Sequence, residues 1–123
     1  MLIHLDFKDD VPIYMQVRNQ IVMGIAEGKL APGEKLPTIR TLAEQSGINM
    51  MTVNKAYQLL KQEGYIITDR RNGAMVRDSV DKKKGLPNRT KEGLRIIISE
   101  ARLSGISKED FLKLCDEMYE EGV

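Results

Sequence analysis

A chain of 123 residues, 41% hydrophobic and 30% charged, has room for one compact domain and an appendage, with the composition of an ordinary soluble protein. Its 19 basic and 18 acidic residues leave a net charge of +1, so overall charge gives no argument for a polyanionic partner. The longest apolar candidate, residues 96–98, is far too short to cross a membrane, and no secretory pattern opens the chain, so a cytoplasmic protein without a membrane partner is expected. Cys115 and His4 each stand alone, which excludes a disulfide framework or a metal cluster within one chain. No phosphate loop and no nucleophile beside a base is present, so neither an enzyme nor a cofactor is expected.

Pro12 suits a first helical position, and Ile13, Val17, Ile21 and Ile25 then recur along one slowly drifting face until Gly28. This helix is expected to pack across the two that follow. Residues 30–36 contain Pro32 and Gly33 and read as a turn-rich connection that positions the next element without forming structure of its own.

Thr38 is a good N-cap, and the segment after it places Ile39, Leu42 and Ala43 on one face before Gly47 supplies a left-handed stop. Asn49 is a second N-cap, followed by Val53, Ala56, Tyr57 and Leu60 at i, i+3, i+4 and i+7, with Gly64 at the end. At about 100° per residue, Met51, Lys55, Gln58 and Gln62 face away from this stripe, with Thr52 on one flank and Met50 and Asn54 on the other. Such a face can donate and accept at base edges and phosphates, and a helix presented by a three-residue turn has the geometry that enters a major groove. The same polar face would equally suit a solvated surface helix.

Next, Tyr65, Ile66, Ile67 and Thr68 favour a strand, residues 69–73 carry turn formers, and residues 74–77 can return as its partner. Arg70, Arg71 and Asn72 fall at the tip. Two guanidinium groups beside Gly73 suit phosphate or minor-groove contact, the alternative being a solvated turn. Between residues 34 and 77 the basic residues Lys35, Arg40, Lys55, Lys61, Arg70, Arg71 and Arg77 outnumber Glu34, Glu44, Glu63 and Asp69, so modest phosphate neutralisation is expected.

Residues 79–88, with Lys82, Lys83 and Lys84, form a polar linker. Beyond it, Leu94, Ile97, Ile98 and Ala101 make a helical stripe that Gly105 closes, and Ser107 with Asp110 starts a last helix carrying Phe111, Leu114, Cys115 and Met118. Cys115 lies on the apolar stripe and reads as a small core residue. Two such helices cannot make a self-sufficient core, and a second copy of the same hairpin would complete a four-helix dimer. Leu94, Ile97, Ile98, Ala101, Phe111, Leu114 and Met118 are the expected dimerisation residues.

The expected fold class is therefore α+β: a winged helix-turn-helix domain over residues 1–78, a linker over 79–89 and a two-helix C-terminal dimerisation arm over 90–123. The chain also resembles the GntR family of bacterial transcription regulators, and within it the short YtrA-type subfamily. The resemblance lies in Pro12-Ile13-Tyr14-Met15-Gln16-Val17, in the run from Gly28 through Gly33-Glu34-Lys35-Leu36-Pro37-Thr38-Ile39-Arg40, in Leu42-Ala43, in Asn49, in Thr52-Val53-Asn54-Lys55-Ala56-Tyr57 and in Glu63-Gly64-Tyr65-Ile66. The stretches come in the family's order and spacing.

The resemblance implies a homodimer bound to double-stranded DNA at a pseudo-palindromic operator, acting as a repressor, with transporter operons as frequent targets. Carried onto this chain, it implies that Thr38 contacts phosphate and that Arg40 reaches phosphate or a guanine edge. It likewise places Asn49, Met51, Thr52 and Lys55 toward the groove and Gly73 near the minor groove. Thr38 and Asn49 would be N-caps with or without DNA, and Arg40 has an alternative partner in Glu44 at i+4.

Two positions depart from the subfamily pattern. Met50 and Met51 replace a polar pair after the N-cap asparagine, which weakens direct hydrogen-bonded readout but leaves a thioether able to pack on a thymine methyl. The usual glycine-x-glycine of the wing stands as Arg71-Asn72-Gly73. Two rival functions follow: a regulator with an effector at the dimer seam, although an arm of about 35 residues is small for a pocket of several hundred Å³, and a winged-helix interaction module without DNA affinity.

Overall fold

The computed structural model describes residues 3–78 and 85–121. The lysine run Lys82, Lys83 and Lys84 lies outside the described residues. The chain divides into two compact units, Met1–Val80 and Asp81–Val123.

In the first unit, α1 runs over Ile13–Ala26. Pro12 is its N-cap and not its first helical residue, and the Pro12 carbonyl accepts from the N–H groups of Met15 and Gln16 at 3.0 and 3.1 Å. Val17 and Ile21 are fully buried as their spacing predicts. Gln16 is buried beside them. Its amide oxygen accepts from Asp6 N–H at 2.8 Å, and its amide nitrogen donates to the carbonyls of Asp6 and Val11 at 2.8 and 2.9 Å, which fastens the N-terminal segment to the helix.

Helix α2 covers Ile39–Ser46 and α3 covers Met50–Glu63, each ended by a left-handed glycine, Gly47 and Gly64. Leu42 and Ala43 of α2 meet Val53, Ala56, Tyr57 and Leu60 of α3 in one core with Val17 and Ile21 of α1. Every residue of the α3 stripe is buried, so the predicted periodicity holds over the whole helix.

Strands β1, Ile66–Asp69, and β2, Gly73–Val76, pair antiparallel with Ile66 opposite Val76 and Asp69 opposite Gly73. Residues 30–36 depart from their expected role as a connection without structure of its own. Lys35 bridges Met75 antiparallel, Leu36 N–H donates to the Ala74 carbonyl at 2.8 Å, and Val76 N–H donates to the Glu34 carbonyl at 2.9 Å. A third short segment thus covers the outer edge of β2. Its turn composition conceals it in the sequence, because these bonds form with residues about forty positions away and Leu30 and Leu36 provide its buried anchors.

The second unit holds α4, Asn88–Leu103, and α5, Lys108–Glu121. Asn88, expected in the linker, is the first residue of α4. Gly105 takes φ 80° in the turn, and Asp110 N–H donates to the Ser107 hydroxyl at 3.1 Å, the predicted cap. Neither helix has a buried residue. Ala101, Phe111 and Cys115 are half-buried, and Leu94, Ile97, Ile98, Leu114 and Met118 are exposed.

Candidate nucleic-acid interface

The first predicted cluster forms around the start of α2. Thr38 has an extended backbone, and its hydroxyl oxygen accepts from Thr41 N–H at 3.1 Å while its hydroxyl stands 2.8 Å from that of Thr41. Arg40, in the first turn, is exposed, and among the described residues no ion pair joins it to Glu44. Across from it stands the wing. A cleft of about 770 Å³ between them is lined by Thr38, Arg40, Arg71 and Gly73 together with Lys35, Gln58, Thr68 and Asn72. Two guanidinium groups, an ammonium and several hydroxyl and amide groups around one open cleft make a surface suited to phosphate oxygens.

Tyr57 sets the position of this cluster from below. Its ring is buried in the core and its hydroxyl donates to the Pro37 carbonyl at 2.7 Å, one residue before the Thr38 cap. Burial pushes the Tyr57 phenol well above its ordinary value, so it remains a proton donor throughout the physiological range.

The wing tip is organised by Asp69. Its carboxylate accepts from the backbone N–H groups of Arg71 and Asn72 and from the Asn72 side-chain amide. Those bonds, led by the one from the Asn72 backbone, hold the Asp69 carboxyl below its ordinary range. Gly73 has φ 70°, which explains the one glycine kept in this wing. Arg70 and Arg71 are exposed, and only Arg71 lines the cleft.

The second predicted cluster lies at the start of α3. The Asn49 side-chain oxygen accepts from Thr52 N–H at 2.8 Å and from the Thr52 hydroxyl at 2.9 Å. Met51 is 82% exposed, the most exposed residue of this face for which a large apolar side chain is present. Asn49, Met51, Thr52 and Lys55 line a hollow of about 390 Å³ whose other wall is Ile13 and Tyr14 of α1. The Lys55 ammonium lies over the Tyr14 ring, 4.0 Å from its centre. The structure therefore gathers the predicted residues other than Arg70 into two groups, α2 with the wing and α3 with α1.

Sequence reasoning missed Thr68 in the cleft and Tyr14 in the hollow, and it named Lys35 only for its charge and Asn72 only as a residue of the wing tip. The alternation of Thr68 along its strand could have signalled it. The places of Lys35 and Tyr14 depend on contacts between distant segments.

A further contact fixes α3 against α1. The Arg18 guanidinium donates to both carboxylate oxygens of Glu63 at 2.9 Å, and its carbon lies 5.7 Å from the centre of the Tyr65 ring. The bond to Glu63 raises the Arg18 pKa, outweighing the burial that lowers it.

Residues 13–76 match the family of bacterial regulatory proteins called gntR. Over 110 residues the chain is 34% identical to the HTH-type transcriptional repressor YtrA of Bacillus subtilis (strain 168), covering 88% of this chain and 85% of that one. Among solved structures, the transcriptional antiterminator from Listeria monocytogenes EGD-e is similar with a TM-score of 0.88 at 31% identity, covering 99% of this chain and 92% of that one. AraR(DBD) in complex with operator ORE1 is similar with a TM-score of 0.52 at 30% identity, over 62% of this chain and 93% of that one. These relatives are regulators and not enzymes, and no described helix is long and apolar enough to cross a membrane. With its winged helix-turn-helix and the family's match across all of that unit's elements, the chain belongs to the gntR family of bacterial regulatory proteins and is a YtrA-like, DNA-binding transcription regulator.

Proposed function

We propose that the protein is a cytoplasmic repressor that binds a pseudo-palindromic operator as a homodimer, with residues 1–78 on the DNA and the arm that α4 opens at Asn88 as the dimerisation element. The observation that carries this reading is the separation of apolar surface between the two units: the first buries its stripes, whereas α4 and α5 bury none of theirs. A hollow of about 850 Å³ beside Leu94, Ile98, Ala101, Phe111 and Cys115 gives a second copy a place to insert side chains. The repressor named YtrA in Bacillus subtilis supports the sign of regulation, and AraR on its operator supports the mode of contact. Control of a transporter operon is the target class to test first.

In this reading α3 enters the major groove, Asn49, Met51, Thr52 and Lys55 face it, and Thr38, Arg40, Arg70, Arg71 and Gly73 hold the flanking backbones. Met51 packs on a thymine methyl, so half-sites rich in A·T are preferred. Selection of G·C-rich sites intolerant of A·T would overturn that preference.

A second reading places a small effector in the hollow of the arm, at the dimer seam. The test is retention of sheared genomic DNA by the purified protein at two salt concentrations, with its mass in solution measured alongside. An inverted repeat that persists at the higher salt, on a dimer, supports the proposal. Absence of any retention at low salt would sink it in favour of an interaction module without DNA affinity.

A further inference from the structure

Lys55 lies on the face of α3 that the proposed function turns toward DNA, yet its ammonium is not directed straight outward. It rests over the ring of Tyr14, 4.0 Å from the centre. Tyr14 is half-buried, packed against the core, and belongs to the first turn of α1, an element given no DNA contact in the proposed function.

From this contact we infer that Tyr14 is a positioning residue for DNA binding: its ring holds the Lys55 ammonium on the α1 flank of the recognition helix, where it meets a backbone phosphate and not a base edge. The inference rests on the proposed DNA-bound mode of α3. A recognition helix lies on the floor of the groove, and the phosphate strands are its walls, so a cation leaning sideways off the helix addresses a wall. The lysine stem is flexible and samples many rotamers, and attraction to the ring selects those that lean toward α1. The contact leaves the remaining N–H donors of the ammonium open to a phosphate oxygen. Asn49 and Thr52, on the same hollow, are already engaged with each other through the cap, so the ammonium is the charged donor there.

The experiment is a double-mutant cycle read as affinity for a short duplex carrying the selected inverted repeat, across a salt series, with thermal unfolding measured for each variant. Tyr14→Phe keeps the ring and is expected to bind as the parent does. Tyr14→Leu keeps apolar packing but removes the ring's charge distribution, and should weaken binding roughly two- to fivefold. Lys55→Met should weaken all sequences alike and reduce the salt slope by about one. Adding Tyr14→Leu to Lys55→Met should cost nothing more. Full additivity of the two changes would overturn the inference, as would a loss in Tyr14→Phe, which would place the hydroxyl on DNA. Relaxed preference at one base pair in Lys55→Met would overturn it too, since Lys55 would then read a base. Failure of the parent to bind any DNA at low salt refutes the functional reading itself, whereas a binding parent with zero coupling refutes this inference alone.

Discussion

The Tyr57 hydroxyl donates to the Pro37 carbonyl at 2.7 Å, so the buried face of α3 fixes the residue that precedes the α2 cap. The two surfaces proposed to meet DNA, α3 and the start of α2, are therefore tied by this bond in addition to their shared core.

Removing that donor tests the link. Tyr57→Phe keeps the ring and its packing and should cost about 1 kcal/mol in urea unfolding, the usual worth of one hydrogen bond. Because Pro37 leads directly to Thr38 and Arg40, DNA affinity should fall by more than the loss of folded protein explains. Unchanged affinity on fully folded protein would show that the bond serves stability alone.

The Arg18 and Glu63 pair joins α1 to the last turn of α3 by two bonds of 2.9 Å. Its side chains are only 20% and 14% exposed, so it is shielded more than a surface ion pair. Arg18→Met should destabilise the first unit by roughly 1.5–3 kcal/mol, the range for hydrogen bonds to charged groups. A denaturation midpoint insensitive to this change would mean that packing of the stem and ring suffices.

Asn49 is the α3 cap and a proposed groove contact, and substitution can separate the two. Asn49→Ala removes the α3 cap and should cost about 0.5–2 kcal/mol of stability. Asn49→Asp keeps a capping oxygen, so stability should hold while a negative charge at the groove face weakens DNA binding. Equal losses of binding and stability in both variants would leave Asn49 as a cap only.

Arg40 shares its cleft with Thr38, Lys35 and Arg71, a set of donors fitted to phosphate. Arg40→Ala should weaken binding evenly across operator variants and lower the salt slope by about one. If discrimination relaxes at one base pair instead, Arg40 reads a guanine edge.

Asp69 gives the wing a pH dependence with a definite sign. Its folded pKa lies below the ordinary carboxylate value of about 3.9, so its ordering of the turn is complete above that value and is lost as pH falls through the folded pKa. The protection of the Arg71 and Asn72 amides from exchange, relative to an unstructured chain at the same pH, should be unchanged from neutral pH to about pH 4 and fall below it. A fall already near pH 6 would assign the effect to another group.

Much of this architecture was legible because it depends on local pattern. Thr38, Asn49, Gly47 and Gly64 bound the two helices as predicted, since caps and left-handed stops are chosen by one residue's chemistry. Val53, Ala56, Tyr57 and Leu60 are buried together because the helical repeat alone dictates their common face. Hidden relationships link distant segments. Nothing near Lys35 announces its pairing with Met75, and nothing near Gln16 announces that it holds Asp6 and Val11. Site residues followed the same division: the two caps were readable, while the meeting of Arg40 with Arg71 and of Lys55 with Tyr14 depended on the fold.

The segment that borders β2 has a mechanical meaning. Leu36 is bonded to Ala74 of the wing, and the next two residues, Pro37 and Thr38, deliver the chain to α2. Wing and helix are thus the two jaws of a caliper whose hinge is continuous backbone, with its span set before any DNA arrives. In the proposed DNA-bound mode, such a fixed span would favour sequences that conform readily to it, at positions no side chain touches.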